Sequence, residues 1–182
     1  IANYPEHGVE QSRLKVLVRS SFEARKGCAD LMTLLLRWHD SDGRTFENIE
    51  FIIIGDNYLL DLGINKLTSV YNLGLVNRDE LIQLYASVDA LLVTSRNDSG
   101  PIMINEAVSF GIFVLSTPVG VSKDLIDDEN GYIFSDTLDT IDENEFVMAL
   151  SKAKEFKHSK RFRVRNQNLT FEYFADKLVS LF

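Results

Sequence analysis

The stretch ALLVTSRNDSGPIMINEA, Ala90–Ala107, passes from an apolar run through a turn into the start of a helix. Ala90 to Thr94 has the aliphatic, β-branched composition of a strand buried on both faces. Ser99-Gly100-Pro101 suits a sharp turn, and Pro101 at the first helical position sacrifices no hydrogen bond, because that N–H would be free anyway. Pro101 to Phe110 then reads as a helix whose opening N–H groups, on Ile102, Met103 and Ile104, are available to an anion or a sugar hydroxyl. Strand, tight turn and helix N-terminus in that order form ligand sites in α/β proteins, outside the carboxyl ends of the strands. Two carboxylates, Asp98 and Glu106, bracket the turn.

The same alternation extends in both directions. Apolar runs predict strands at Leu14–Val18, Ile49–Ile54, Ser69–Leu73, Ala90–Thr94, Ile112–Ser116 and Gly131–Phe134. Helical spacing predicts helices at Cys28–Trp38 and Asp79–Ala86, and a helical turn at Lys123–Ile126. Thr140-Ile141-Asp142-Glu143 has the form of a capping box opening a helix through Phe146, Leu150 and Ala153. Phe171–Phe182 repeats apolar residues at the same period. Asp40-Ser41-Asp42-Gly43 reads as a turn; it lacks the further ligands of a calcium loop. Strands alternating with helices imply an α/β, Rossmann-like three-layer domain with a mostly parallel sheet. That domain spans 14–182, after a lead-in or interdomain connector at 1–13.

Composition narrows the function. The chain has 182 residues, enough for one ordinary domain with a real core. Its net charge of −8 argues against nucleic acid as a partner. No apolar run approaches the length of a bilayer span, and no signal peptide is visible. Cys28 is the single cysteine, so no internal disulfide can form and a cytoplasmic setting is expected. Cys28 itself reads as a small core residue. His7, His39 and His158 are scattered, so no metal site is expected. The basic segment 152–165 reads as a solvated helix face; its sharper reading is peripheral contact with an anionic membrane or an acidic partner.

The loop after the first predicted strand holds Arg19, Ser20, Ser21, Arg25 and Lys26, then Gly27 at a helix start. Cations beside free helix N–H groups suit a phosphate. Glu106 lies among Ile102, Met103 and Phe110 at helical spacing, where a carboxylate needs donors such as ribose or sugar hydroxyls, or reaches water at the edge of the buried face. One loop supplies cations and the other supplies acceptors, which together match a sugar diphosphate.

These residues resemble the C-terminal, donor-binding domain of a retaining GT-B glycosyltransferase of glycosyltransferase family 4, from about Leu14 to Phe134. The family's pair of acidic residues separated by seven others is matched by Asp98 and Glu106-Ala107, followed by Phe110-Gly111 and the strand Ile112-Phe113-Val114. Arg25-Lys26-Gly27 resembles its Lys-Gly element. Asn72-Leu73-Gly74, the segment Asp79 to Asp89, Val119-Gly120 and Asn130-Gly131 match further positions. The resemblance implies that Glu106 accepts from the nucleotide ribose and that Lys26 holds the diphosphate. It places Asp98 near the donor sugar, backbone from Ser99 through Gly100, Pro101 and Ile102 to Met103 around sugar and phosphate, and backbone near Asn72 beside the base. The family's usual Gly-Arg pair is not matched: Ser20 or Ser21 falls near its Arg position, Arg19 is offset from it, and Arg19 or Arg25 is the candidate substitute. Asp98 stands where the family usually has Glu, and Gly55-Asp56-Asn57 replaces a Gly-x-Gly turn.

The implied activity moves a sugar from a nucleoside-diphosphate sugar to an acceptor such as a glycan or lipid-linked glycan. No metal or other cofactor is implied. The implied partner is an N-terminal acceptor-binding domain that this chain is too short to contain, without which the domain would be inactive. Two other readings fit the same residues: a non-catalytic α/β domain that binds a nucleotide or partner, and a sugar-nucleotide epimerase-like GT-B protein.

Overall fold

A computed structural model describes residues 13–42, 48–99 and 102–164. Gly43, Gly100, Pro101, the predicted helix at 171–182 and nearly all of the proposed 1–13 connector lie outside the described residues.

Six strands form one sheet: β1 (Leu14–Ser20), β2 (Ile49–Gly55), β3 (Ser69–Gly74), β4 (Ala90–Val93), β5 (Phe113–Ser116) and β6 (Gly131–Ile133). Their order is β3-β2-β1-β4-β5-β6 and every pairing is parallel. The chain therefore winds outward from β1 to β3, returns to β4 beside β1, and winds the other way to β6. The reversal between β1 and β4 leaves a crevice at their carboxyl ends, the place where open α/β sheets bind ligands.

Alternate residues of each strand feed opposite cores. Val16, Val18, Phe51, Ile53, Leu92 and Leu115 face one layer, which contains α1 (Cys28–Asp42) and α6 (Glu143–Val164). Leu17, Ile52, Ile54, Leu91, Val93 and Val114 face the other, built around α3 (Arg78–Ser87) and α4 (Ile102–Ser109). Phe51 and Leu17 are both 0% exposed, so each core is dry at its centre. Two short helices, α2 (Tyr58–Asp61) and α5 (Ser122–Leu125), complete the set, with 3₁₀ turns at Ala24–Lys26 and Ile64–Lys66.

The architecture matches the expected α/β, Rossmann-like fold; boundaries differ where local chemistry competes. β1 continues to Ser20, so Arg19 belongs to the strand rather than to the loop. α1 continues to Asp42, so Asp40 to Asp42 are helical instead of a turn. The expected capping box at Thr140 does not form: Thr140 Oγ1 donates back to Thr137 O at 2.8 Å. Asp142 caps α6 by accepting from Asn144 N at 2.6 Å. A true capping box opens α3, where Asn77 and Glu80 exchange side-chain-to-backbone hydrogen bonds of 3.0 and 2.8 Å. Cys28 is a buried core residue as expected, and burial pushes its thiol up.

Gly27 ends the first 3₁₀ turn with φ 67°. A Cβ there would overlap Thr94 O. Gly74 has nearly the same φ, 66°, and open space around it. Gly74→Ala should therefore cost only the left-handed strain, about 1–2 kcal/mol. Gly27→Ala should exceed it by about 1 kcal/mol or more, because packing is disrupted as well. Urea unfolding of the two variants measures the difference.

Candidate functional site at the sheet switch point

A cleft of ≈ 210 Å³ opens where β1 and β4 end, lined by Arg19, Lys26, Thr94, Ser95, Asp98, Ile102 and Met103 among others. The β1–α1 and β4–α4 connections form its walls. They are joined by backbone: Arg96 N donates to Arg25 O at 2.8 Å, and Thr94 Oγ1 donates to Lys26 O at 2.5 Å. Only glycine at position 27 allows this approach.

Inside the cleft, Lys26 Nζ and Asp98 Oδ2 form an ion pair at 2.5 Å, with side chains 18% and 13% exposed. Little water screens such a pair, so its charges act strongly on anything entering. Arg19 is exposed on the same wall; its side chain makes no hydrogen bond or ion pair among the described residues, though its charge helps lower the pKa of Asp56. Arg25 does not join them; it pairs with Glu23 at 2.6 Å on the surface. Ile102 is 68% exposed at the start of α4 and adds an apolar lip.

Asp98 is held from two sides. Behind it, a Cβ on Gly120 would stand 2.5 Å from Asp98 O, so the Val119-Gly120 turn packs directly on that backbone. Ahead of it in the chain, Arg96 forks onto the buried Asp30 at 2.6 and 2.5 Å and reaches Asp139 at 2.8 Å. A bidentate fork of this kind fixes direction as well as distance. Hydrogen bonding to Asp30 raises the already high pKa of Arg96 further, so the guanidinium is permanently charged. The hydroxyl of Thr137 and the charge of Arg96 together outweigh burial and hold Asp139 below the ordinary carboxylate value.

Glu106 lies one turn into α4 and does not line the cleft in this state. Its Oε2 accepts from Tyr85 Oη at 2.8 Å, and Oε1 has no protein donor among the described residues. Burial, and then the Glu106 charge, push the Tyr85 phenol well above its usual value, so it remains a donor. Glu106 is thus an oriented carboxylate with one oxygen free of donors among the described residues.

The remaining expected residues are dispersed. Ser21 is buried beside the loop; its N–H donates to Cys28 Sγ and its Oγ accepts from Glu23 N, both at 3.3 Å. Asn72 lies on β3, separated from β1 by β2, and donates to Asn57 Oδ1 at 3.1 Å. Ser99 is exposed at the turn, and Gly100 and Pro101 lie outside the described residues. Sequence reasoning missed Arg96, Tyr85 and Asp56. Arg96 and Asp30 are 66 positions apart, and Tyr85 and Glu106 are 21 apart, so no local pattern links them.

Asp56 anchors the base of the β1–α1 connection. It accepts from Phe22 N and Ser20 Oγ at 2.9 Å and from Tyr58 N at 3.0 Å. Burial alone would raise its pKa; the three donors prevail and hold it below the ordinary 3.8. Of the basic segment 152–165, Lys157 is already engaged, by Asp89 at 2.7 Å and Arg13 O at 2.8 Å. Side chains beyond 157 lie outside the described residues. No described helix is long and apolar enough to cross a membrane.

The family profile described as glycosyl transferases group 1 matches residues 3–167. Among solved structures, a glycosyltransferase from Rickettsia africae aligns with 93% of this chain and 47% of its own length, at TM-score 0.60 and 19% identity. The catalytic domain of cholesterol-α-glucosyltransferase from Helicobacter pylori aligns over 93% of this chain and 99% of its own, at TM-score 0.59 and 19% identity. Anabaena HepE, solved with UDP-glucose, aligns over 93% and 48%, at TM-score 0.60 and 18% identity. The chain thus spans about half the length of the Rickettsia and Anabaena proteins. At these identities the likeness is one of fold, that of a GT-B glycosyltransferase domain. No curated protein sequence matches the chain.

Because the folded-state pKa of Asp56 is depressed, its stabilisation is complete above the unfolded value of 3.8 and is lost as pH falls through the lower folded value. Wild type should therefore be more stable than Asp56→Asn at neutral pH, and the gap should close in acid below 3.8. Urea unfolding of both proteins across that range gives the comparison.

Proposed function

The chain belongs to the glycosyl transferases group 1 family, and we propose that it is the nucleotide-sugar donor-binding domain of a retaining glycosyltransferase. The observation that carries this reading is the cleft at the β1–β4 switch point, where Lys26, Arg19 and Asp98 converge beside the start of α4. Lys26 and Arg19 hold the diphosphate. Met103 and Ile102 contribute apolar contact and the N-terminal end of α4 contributes partial positive charge. Glu106, oriented by Tyr85, offers its free oxygen to the ribose hydroxyls. Asp98 faces the donor sugar, and the strand ends towards Asn72 border the base.

In the transfer, the bond between the sugar's anomeric carbon and the diphosphate oxygen breaks, and its electron pair leaves with the diphosphate. Lys26 and Arg19 stabilise that growing negative charge, the part of the reaction this domain can serve. No divalent metal is required in this scheme. The acceptor, a glycan or lipid-linked glycan, binds an N-terminal domain, and without it the chain does not catalyse transfer. Binding of UDP-glucose by Anabaena HepE, a protein of the same fold, supports the choice of ligand class. Within segment 152–165, Lys157 is paired with Asp89 in the fold and so contributes no free charge to a membrane contact.

Calorimetric titration of the 182-residue chain with UDP-, GDP-, ADP- and dTDP-sugars tests the reading. One nucleotide class should bind with a Kd between millimolar and micromolar. Lys26→Ala and Glu106→Ala should each weaken it about tenfold or more. Binding that ignores both changes would show that these residues do not form the donor site.

A further inference from the structure

A second cavity, of ≈ 270 Å³, borders the same two connections and shares no lining residue with the donor cleft. Arg25 and Arg96 line it, while their chain neighbours Lys26 and Ser95 line the cleft, so the 2.8 Å hydrogen bond from Arg96 N to Arg25 O runs between the two. Phe22 and Tyr58 give the cavity two aromatic rings. Phe22 is 75% exposed, and no other phenylalanine among the described residues is exposed. One carboxylate fixes the backbone beneath both rings: Asp56 accepts from Phe22 N at 2.9 Å and from Tyr58 N at 3.0 Å. The charged groups around the rings cancel in place. Glu23 pairs with Arg25 at 2.6 Å, and Arg96 forks onto the buried Asp30. This lining therefore leaves no cation over for a phosphate, in contrast to Arg19 in the donor cleft.

A ligand suited to such a lining is neutral, rich in hydroxyls and apolar on one face. Paired carboxylates keep spare lone pairs and paired guanidiniums keep spare N–H groups, so both can bond hydroxyls without giving up their partners. The C–H groups on one face of a pyranose pack on the negative face of an aromatic ring. A sugar ring combines these properties, and an anion does not. Resting on the donor-site reading, we propose that this cavity is an acceptor subsite, in which an uncharged sugar residue of the acceptor glycan stacks on Phe22 and bonds through its hydroxyls to the Glu23–Arg25 and Asp30–Arg96 pairs. The acceptor then bridges the two halves of the enzyme, with its reacting end on the N-terminal domain and a neighbouring sugar here. The backbone tie between Arg25 and Arg96 separates this sugar from the donor, so one ligand can be exchanged while the other stays bound.

The test is an amide NMR titration of the isotope-labelled 182-residue chain. The probes are methyl glycosides of glucose, galactose, mannose and N-acetylglucosamine, with inorganic pyrophosphate as the anionic comparison. At least one glycoside should shift the amides of Phe22, Glu23, Ala24 and Arg96 with a millimolar Kd. Phe22 is exposed, so its substitution leaves the core intact. Phe22→Ala should weaken glycoside binding about tenfold, and Phe22→Trp should restore it to within about threefold. Calorimetric affinity for the nucleotide sugar should change by less than about twofold in both variants. If no glycoside shifts these amides, or if Phe22→Ala leaves binding unchanged, the inference fails while the donor site stands. If pyrophosphate shifts them and the glycosides do not, the cavity takes an anion and the inference fails. If Phe22→Ala weakens the nucleotide sugar as much as the glycoside, Phe22 serves the donor and the inference fails. If a glycoside binds at Phe22 but no nucleotide sugar binds the chain, the donor-site reading fails and the acceptor assignment with it.

Discussion

The connection after β1 and the connection after β4 touch through backbone, and everything in the cleft follows from that contact. Gly27 presents no side chain to Thr94 O, which lets the two segments close. The Thr94 hydroxyl and the Arg96 N–H then bond to carbonyls on the opposite segment. Arg96 adds a second tie by reaching Asp30 in the first turn of α1. Lys26 and Asp98 lie 72 residues apart in the chain and meet at 2.5 Å because these ties fix their backbones. A parallel sheet with its winding reversed between β1 and β4 is what brings the two segments side by side.

The two carboxylates that bracket the α4 start have diverged in role through their surroundings. Asp98 precedes the helix, is nearly buried, and balances a cation. Glu106 lies within the helix and meets a neutral phenol that burial keeps protonated. One carboxylate therefore holds a cation in the cleft, while the other accepts from a neutral donor. Asp98 lies before α4 and Glu106 within it, but it is Lys26 and Tyr85, from distant elements, that set the surroundings of each.

Much of the fold was legible because its signals are local. Apolar runs such as Leu14–Val18 and Ala90–Val93 are buried parallel strands, and the helical spacing at Leu31, Leu34, Leu35 and Trp38 marks the buried face of α1. Boundaries were less legible where two local options compete. Thr140 and Asp142 can both cap a helix, and Thr140 is drawn instead into the Thr137 turn, leaving Asp142 to do so. The short helix Tyr58–Asp61 has no amphipathic period to reveal it; it depends on Asp56 and Ser20 accepting its first N–H groups. In the site, residue types at the loop ends were readable, while partners were not. Asp30 looks like an ordinary acidic residue in a helix's first turn, and only folding shows that it is buried beneath Arg96.

A chain of net charge −8 must draw an anion by local arrangement, since its overall field repels one. The cleft achieves this with few charges. Arg25 is neutralised by Glu23 on the surface, and Lys26 is matched by Asp98, which leaves Arg19 as the wall's unpaired cation among the described residues. On the donor-site reading, an approaching diphosphate meets Arg19 first, at an exposed position where the desolvation cost is small. The same reading has it exchange next with Asp98 for the more deeply placed Lys26, where the low local dielectric makes the contact stronger. On that reading the order of exposure, Arg19 outside and Lys26 within, separates capture from tight holding.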